Sequence, residues 1–181
     1  GKKRVDPKRT LCDYIDWRGD LSFAVDPLNE VDNLVLSWIV YLELDGYGAD
    51  VPYAGRISLK DALAVHDERC CEPIDSKRMS SSAEPLFRKL AASNRFGDVR
   101  MWGFVRKNDG QQQEQFAACC FEITDDLAFV AFRGTDDTLL GWREDFNMCF
   151  MDEVPAQRDA VSYLAAAAED FPGRLQVGGH S

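Results

Sequence analysis

The sequence predicts a mixed α/β fold, on three observations. Through the first half of the chain apolar residues recur at helical spacing. From Val99 onward they form short alternating or continuous runs separated by turn residues, the pattern of strands. An alanine-rich helix then precedes a last strand, and strand, helix, strand is the crossover unit of a parallel sheet, with a right-handed connection expected. The organisation read from this is a single domain, with a helical region over residues 1–97 and a sheet region over residues 98–181.

The elements follow in order. The opening GKKRVDPKR holds five basic residues and one acid and reads as a solvated tail. TLCDYIDWRGDLSF mixes aromatics with charges, and Gly19-Asp20 reads as a turn. In DPLNEVDNLVLSWIVYLELDG, the residues Val31, Leu34, Val35, Trp38 and Leu42 share one helix face. Asn29 or Asp26 can cap that helix and Gly46 can end it. The stretch up to DSKRMSSSAEP reads as loops around a short helix, SLKDALAVHDER, in which Ser58 and Asp61 resemble a capping box. SSSAEPLFRKLAASNRFG is a further helix, with a Ser cap, Pro85 in the first turn, Leu86, Phe87 and Leu90 inward, and Gly97 past its end.

The sheet region opens with an alternating strand, Val99 to Lys107, then turn chemistry at Asn108 to Gly110. Gln115 to Thr124 is a second strand, Asp125-Asp126 a tight turn, and Leu127 to Phe132 a third. Short turns require antiparallel neighbours, so these three form a meander. The third is apolar on both faces and belongs deep in the sheet. RGTDDTLLGWREDFNMCFMDEV is a loop that becomes helical around Trp142 to Phe150. PAQRDAVSYLAAAAEDFPG is a helix that starts at Pro155, turns Val161, Leu164, Ala165, Ala168 and Phe171 to one face, and stops at Pro172-Gly173. RLQVGG follows as a strand.

Composition narrows function. A 45% hydrophobic content supports a real core, and a net charge of −10 speaks against a nucleic-acid binder, which needs a basic face. The longest apolar run, Leu34 to Leu44, is broken by Ser37 and Glu43 and is too short to span a membrane; it reads as a helix docked on the core. The two adjacent cysteine pairs, Cys70-Cys71 and Cys119-Cys120, lack zinc-ligand spacing, and only two histidines exist. Reduced, buried cysteines and a cytoplasmic location are expected, with Cys119 and Cys120 on opposite faces of their strand. No metal and no cofactor is expected. Asp136, Asp137, Asp145, Asp152 and Glu153 read as loop and helix-end acids, and His66 as a surface histidine beside acids. Oligomeric state is left open.

The chemistry is written near the end, in RLQVGGHS. Acyl transfer needs an activated nucleophile, a base, and donors aimed at the developing oxyanion. A sharp strand-to-helix turn lifts a serine out of the sheet, and glycines flank it because backbone comes close there. Gly179-His180-Ser181 is the start of such a turn. With Phe132-Arg133-Gly134-Thr135, Trp142 and Asp145 upstream, the chain resembles the class 3 lipase group of α/β-hydrolases. In that group a Phe-Arg-Gly-Ser/Thr strand end, a Trp-x-x-Asp segment and a Gly-His-Ser-x-Gly elbow follow one another. The Asn-x-x-Asp-Asn helix further resembles a bacterial branch of uncharacterised lipase-like proteins.

The resemblance implies an α/β-hydrolase-like sheet and a soluble serine esterase or lipase acting on carboxylic esters, acyl lipids above all. Ser181 would be the nucleophile. Thr135 would sit at the oxyanion hole, with the residue after Ser181 as second donor. Arg133, Gly134, Trp142, Asp145, Gly179 and His180 would support the site. Only DDTLLG stands where such enzymes often carry a lid. The family order is Ser, then Asp or Glu, then His. His180 points the other way along its strand and His66 lies upstream, so the acid and the base are expected after Ser181. The 181 residues alone are accordingly expected to be inactive, and the polypeptide to continue. A non-catalytic lipase-like module for binding or assembly is the alternative; acyltransferase or thioesterase chemistry would use the same serine.

Overall fold

A computed structural model describes residues 7–40, 56–69, 84–109, 114–133 and 155–180. They form a mixed α/β fold with a five-stranded, mostly antiparallel sheet and five helices. In chain order these are α1 (Pro7–Arg18), α2 (Glu30–Ile39), β1 (Ile57–Ser58), α3 (Leu59–Arg69), α4 (Glu84–Ala92), β2 (Arg100–Asp109), β3 (Glu114–Thr124), β4 (Leu127–Arg133), α5 (Pro155–Asp170) and β5 (Arg174–His180). The sheet order is β1-β2-β3-β4-β5. The first three pairings are antiparallel and β4–β5 is parallel. The meander and the parallel crossover therefore stand as the sequence predicts. No described helix is long and apolar enough to cross a membrane.

The sheet separates two apolar clusters. On one face Met101, Phe104, Cys119, Phe121, Phe129 and Ala131 meet Leu11, Ile15, Val35, Leu36, Leu59, Phe87 and Leu90 from α1 to α4. On the other, Trp102, Phe116, Cys120, Val130 and Phe132 meet Ala160, Ala167 and Phe171 of α5 and its end. Cys119 and Cys120 do lie in opposite clusters. Each fully buried phenylalanine, Phe121 and Phe129 among them, contributes about 2–3 kcal/mol of transfer free energy.

β2 departs from strict alternation. Its register against β3 shifts between Trp102 and Val105, and Gly103 takes φ 65°. The extra residue at this bulge puts Met101 and Phe104 on one face and Trp102 and Val105 on the other. Alternation alone would have reversed the second pair.

The structure corrects the sequence reading in four places, three in helices and one in a strand. α1 begins at Pro7, inside the segment read as a solvated tail. Its Leu11 and Ile15 are buried one turn apart, and the Gly19 N–H closes it on the Ile15 carbonyl at 2.7 Å. α2 has its capping box, with Asn29 accepting from the Val31 and Asp32 N–H groups and Asp32 accepting from Asn29. Its inward face, however, is Asp32, Val35, Leu36, Ser37 and Ile39, while Val31 and Leu34 are each 40% exposed. Leu42 and Gly46 lie outside the described residues. The cause of the rotation is Asp32, a charged residue placed at the centre of the packing (below). β1, in a stretch read as loop, pairs Ile57 with Met101 before Ser58 accepts the Asp61 N–H at the start of α3. α5 buries Ala160 and Ala167 and half-buries Tyr163 and Leu164, one position earlier than expected, while Val161 is 65% exposed. In a run of alanines the apolar pattern is nearly flat, so Tyr163 decides the rotation.

Candidate active site at the ends of the parallel strands

β4 and β5 hold seven residues each and are in register from Leu127↔Arg174 to Arg133↔His180. The register is pinned at the start. Arg174 N–H donates to the Asp126 carbonyl at 2.7 Å, and Gly173 lies so close that a Cβ there would fall 2.4 Å from the same oxygen. The pairing keeps this register through Arg133↔His180. Phe132-Arg133 therefore lies beside Gly179-His180.

Packing holds both strand ends. β4 is buried from Leu127 to Phe132. On the α5 side, the Phe132 ring meets Phe116 at 6.0 Å and the edge of Tyr163 at 5.8 Å. On the other side, α2 packs over β4 and β5. Gly178 is needed there, because a Cβ would sit 2.9 Å from Cζ of Phe129. Gly178 precedes the motif glycine Gly179, and its requirement is the close approach of an aromatic ring.

Tyr163 ties the crossover helix to the meander. Its hydroxyl donates to the Gly103 carbonyl at 2.7 Å and lies 3.3 Å from Sγ of Cys120. Trp102, Gly103, Val105, Cys120, Tyr163 and Ala167 border a small cavity there. Burial pushes the Cys120 thiol up to about 12, and the Cys119 thiol well above its ordinary value. Neither is a nucleophile near neutral pH.

Of the predicted site residues, Arg133 is half-buried at the end of β4, Gly179 faces Phe132 across the parallel pair, and the His180 backbone closes β5. Ser181, Gly134, Thr135, Trp142 and Asp145 lie outside the described residues, as does the segment read as a helix around Trp142 to Phe150. His66 is corrected: it is 1% exposed, not a surface residue, with Nε2 3.7 Å from Glu84 and its ring edge-on to Phe87. It sits on α3, which packs on α4.

Sequence reasoning missed a buried ion pair. Arg95 and Asp32 have fully buried side chains. Nε and one terminal nitrogen of Arg95 donate to the two Asp32 oxygens at 3.0 and 2.5 Å. The remaining N–H groups reach the carbonyls of Leu21, Asp26 and Pro27 at 3.0, 2.8 and 3.2 Å. Asp32 also accepts from Tyr14, which accepts from Asn29. Burial acts to lower the Arg95 pKa, but the Asp32 carboxylate outweighs it and holds it above the ordinary value. The one signal in the sequence is an acid at a position surrounded by apolar helix residues. A second cluster, Glu122 with Arg56 and Arg100, joins the sheet to the chain ahead of β1. Arg56 stacks 4.6 Å over Trp102.

A model of the Mbeg1-like family matches residues 90–181, more than half of the chain. The match takes in the end of α4, the meander, the crossover and both ends of the parallel pair. No curated protein and no solved structure matches the chain. By the sequence that builds its sheet and the ends of its parallel strands, the chain belongs to the Mbeg1-like family.

Proposed function

We propose that this chain carries the nucleophile and an oxyanion donor of a serine hydrolase of α/β-hydrolase fold, cleaving carboxylic esters and acyl lipids above all. The observation that supports it is the alignment of β4 with β5 up to Arg133↔His180. The two motif segments, Arg133-Gly134-Thr135 and Gly179-His180-Ser181, leave adjacent parallel strands at the same end. Ligands of open α/β sheets bind outside the carboxyl ends of strands. Covalent geometry keeps Ser181 Cα about 3.8 Å from that of His180, and Thr135 Cα within about 7.6 Å of that of Arg133. In this reading the ester carbonyl lies between the two segments.

In this reading Oγ of Ser181 attacks the ester carbonyl and its proton passes to a histidine later in the polypeptide. The tetrahedral oxyanion accepts hydrogen bonds from Thr135 N–H and from the residue after Ser181. The alcohol leaves with the proton, and water hydrolyses the acyl-enzyme by the same steps. The test is ester hydrolysis over short to long acyl chains, with fluorophosphonate labelling, in the natural polypeptide and its Ser181→Ala variant. Labelling and turnover are expected to vanish in the variant. Equal rates in the two remove the nucleophile, and leave the binding or assembly module as the reading.

A further inference from the structure

The bulge in β2 leaves a gap in the packing under α5. It turns Trp102 and Val105 to the α5 face, with Gly103 between them. A Cβ on Gly103 would point at the Tyr163 hydroxyl, 3.0 Å away, so the side chain that glycine lacks is lacking on that same face. Across the gap α5 presents Ala166 and Ala167, whose side chains end at Cβ. The result is a cavity of about 90 Å³. Buried Trp102, Cys120 and Ala167 make its floor, and half-buried Val105, Tyr163 and Ala166 its mouth.

The polar atoms of the wall are already engaged. The Tyr163 hydroxyl donates to the Gly103 carbonyl at 2.7 Å and stands 3.3 Å from Sγ of Cys120. A guest therefore meets indole, methyl and thiol surface, which offers nothing to an ion or a sugar. The volume sets its size. At about 30 Å³ per small group, the share a water takes in the liquid, the cavity holds roughly three or four heavy atoms, fewer than the void of about 150 Å³ that accepts benzene. We propose that this cavity is a binding site for the end of a short alkyl chain, with about four carbons inside. Binding removes apolar surface of both partners from water. The site is built by β2, β3 and α5 and stands independently of the hydrolase reading.

The experiment follows the alanine methyl signals of the natural polypeptide by NMR as 1-butanol, or xenon under pressure, is dissolved in the sample. Glycerol is the polar probe of similar size. Saturable shifts are expected at Ala166 and Ala167 with both apolar probes and not with glycerol. Half-saturation is expected at roughly 1–10 mM 1-butanol, the affinity open to so small a ligand. Ala166→Leu fills the cavity from the helix side. It should abolish the Ala167 shift and leave the guanidinium unfolding midpoint equal to or above the parent's. Should leucine overpack and lower the midpoint, Val105→Ile is judged instead. It should weaken 1-butanol binding about fourfold, the loss of room for one methylene. Shifts that stay linear in probe concentration, an equal response to glycerol, or undiminished binding in the folded filled variant overturn the proposal.

Discussion

Replacing Arg95, in the turn that follows α4, by methionine is expected to be strongly destabilising. The side chain is fully buried and every one of its five N–H groups is used, two on Asp32 and three on the carbonyls of Leu21, Asp26 and Pro27. Methionine fills much of the same space but satisfies none of them. It leaves a buried carboxylate, supported only by Tyr14 and the Asn29 N–H among its described partners, and three carbonyls short of a donor. Breaking a buried pair from one side costs about 3–5 kcal/mol. For a chain of this size that lowers Tm by roughly 6–20 °C, at about 2–4 °C per kcal/mol. The assay is guanidinium unfolding followed by both fluorescence and circular dichroism, with the slope checked for constancy. Arg95→Lys keeps the charge but not the fork and should fall between parent and methionine. The double variant Arg95→Met/Asp32→Leu should recover at least half of the summed loss, because both desolvated charges go together. A methionine variant within about 1 kcal/mol of the parent would refute the reasoning, since it would put this pair in the class of surface ion pairs.

Three further outcomes follow from the same coordinates. Gly103→Ala places a side chain at φ 65° with its Cβ 3.0 Å from the Tyr163 hydroxyl, and should cost about 1–3 kcal/mol in urea unfolding; a neutral effect would mean that the bulge is soft. Burial raises both thiols, so Cys119 and Cys120 should resist iodoacetamide at pH 8 until the protein unfolds, as read by peptide mass spectrometry; fast labelling of either in the native protein contradicts the packing. The hydrogen bond from Arg88, and to a lesser extent its charge, holds Asp67 below its ordinary 3.8. Whatever stability it adds is therefore present above that value and lost as pH falls through the lowered one. In an NMR titration Arg88→Ala should move the Asp67 pKa up toward 3.8, and an unmoved titration would show that the pair is not formed in solution.

The meander was legible because its signals are local. Asp125-Asp126 set one turn of the meander, and the run from Leu127 to Phe132 marked the strand buried on both faces, whereas Asn108 and Asp109, read as turn, extend β2 and pair with Gln115 and Glu114. The crossover was legible for the same reason, with Pro155 at one end of its helix and Pro172-Gly173 at the other. The rotation of α2 and α5 was not. Both carry apolar residues nearly all round, so several faces fit the pattern equally well, and the choice fell to Asp32 reaching Arg95 and to Tyr163 reaching Gly103, partners 63 and 60 residues away. His66 misled because acids beside it in the sequence do not show that Phe87 packs edge-on against its ring. The residues quoted for chemistry, Phe132-Arg133 and Gly179-His180, do come side by side, while Ser181 and Thr135 are carried by the chain just past the last described residues.

By itself the sequence determined most of the helices and strands and how the strands of the meander run, and it named the residues proposed for acyl transfer. Capping, turns and periodicity act over a few residues and are written in full wherever they operate. Only the tertiary structure decided that β4 and β5 pair in register through Arg133 and His180, that a phenyl ring crowds Gly178, and that one buried arginine holds the chain between α1 and α2 through three carbonyls and an aspartate. Those outcomes depend on groups far apart in the chain competing for the same volume and the same hydrogen-bond partners, and no local pattern records which of them wins.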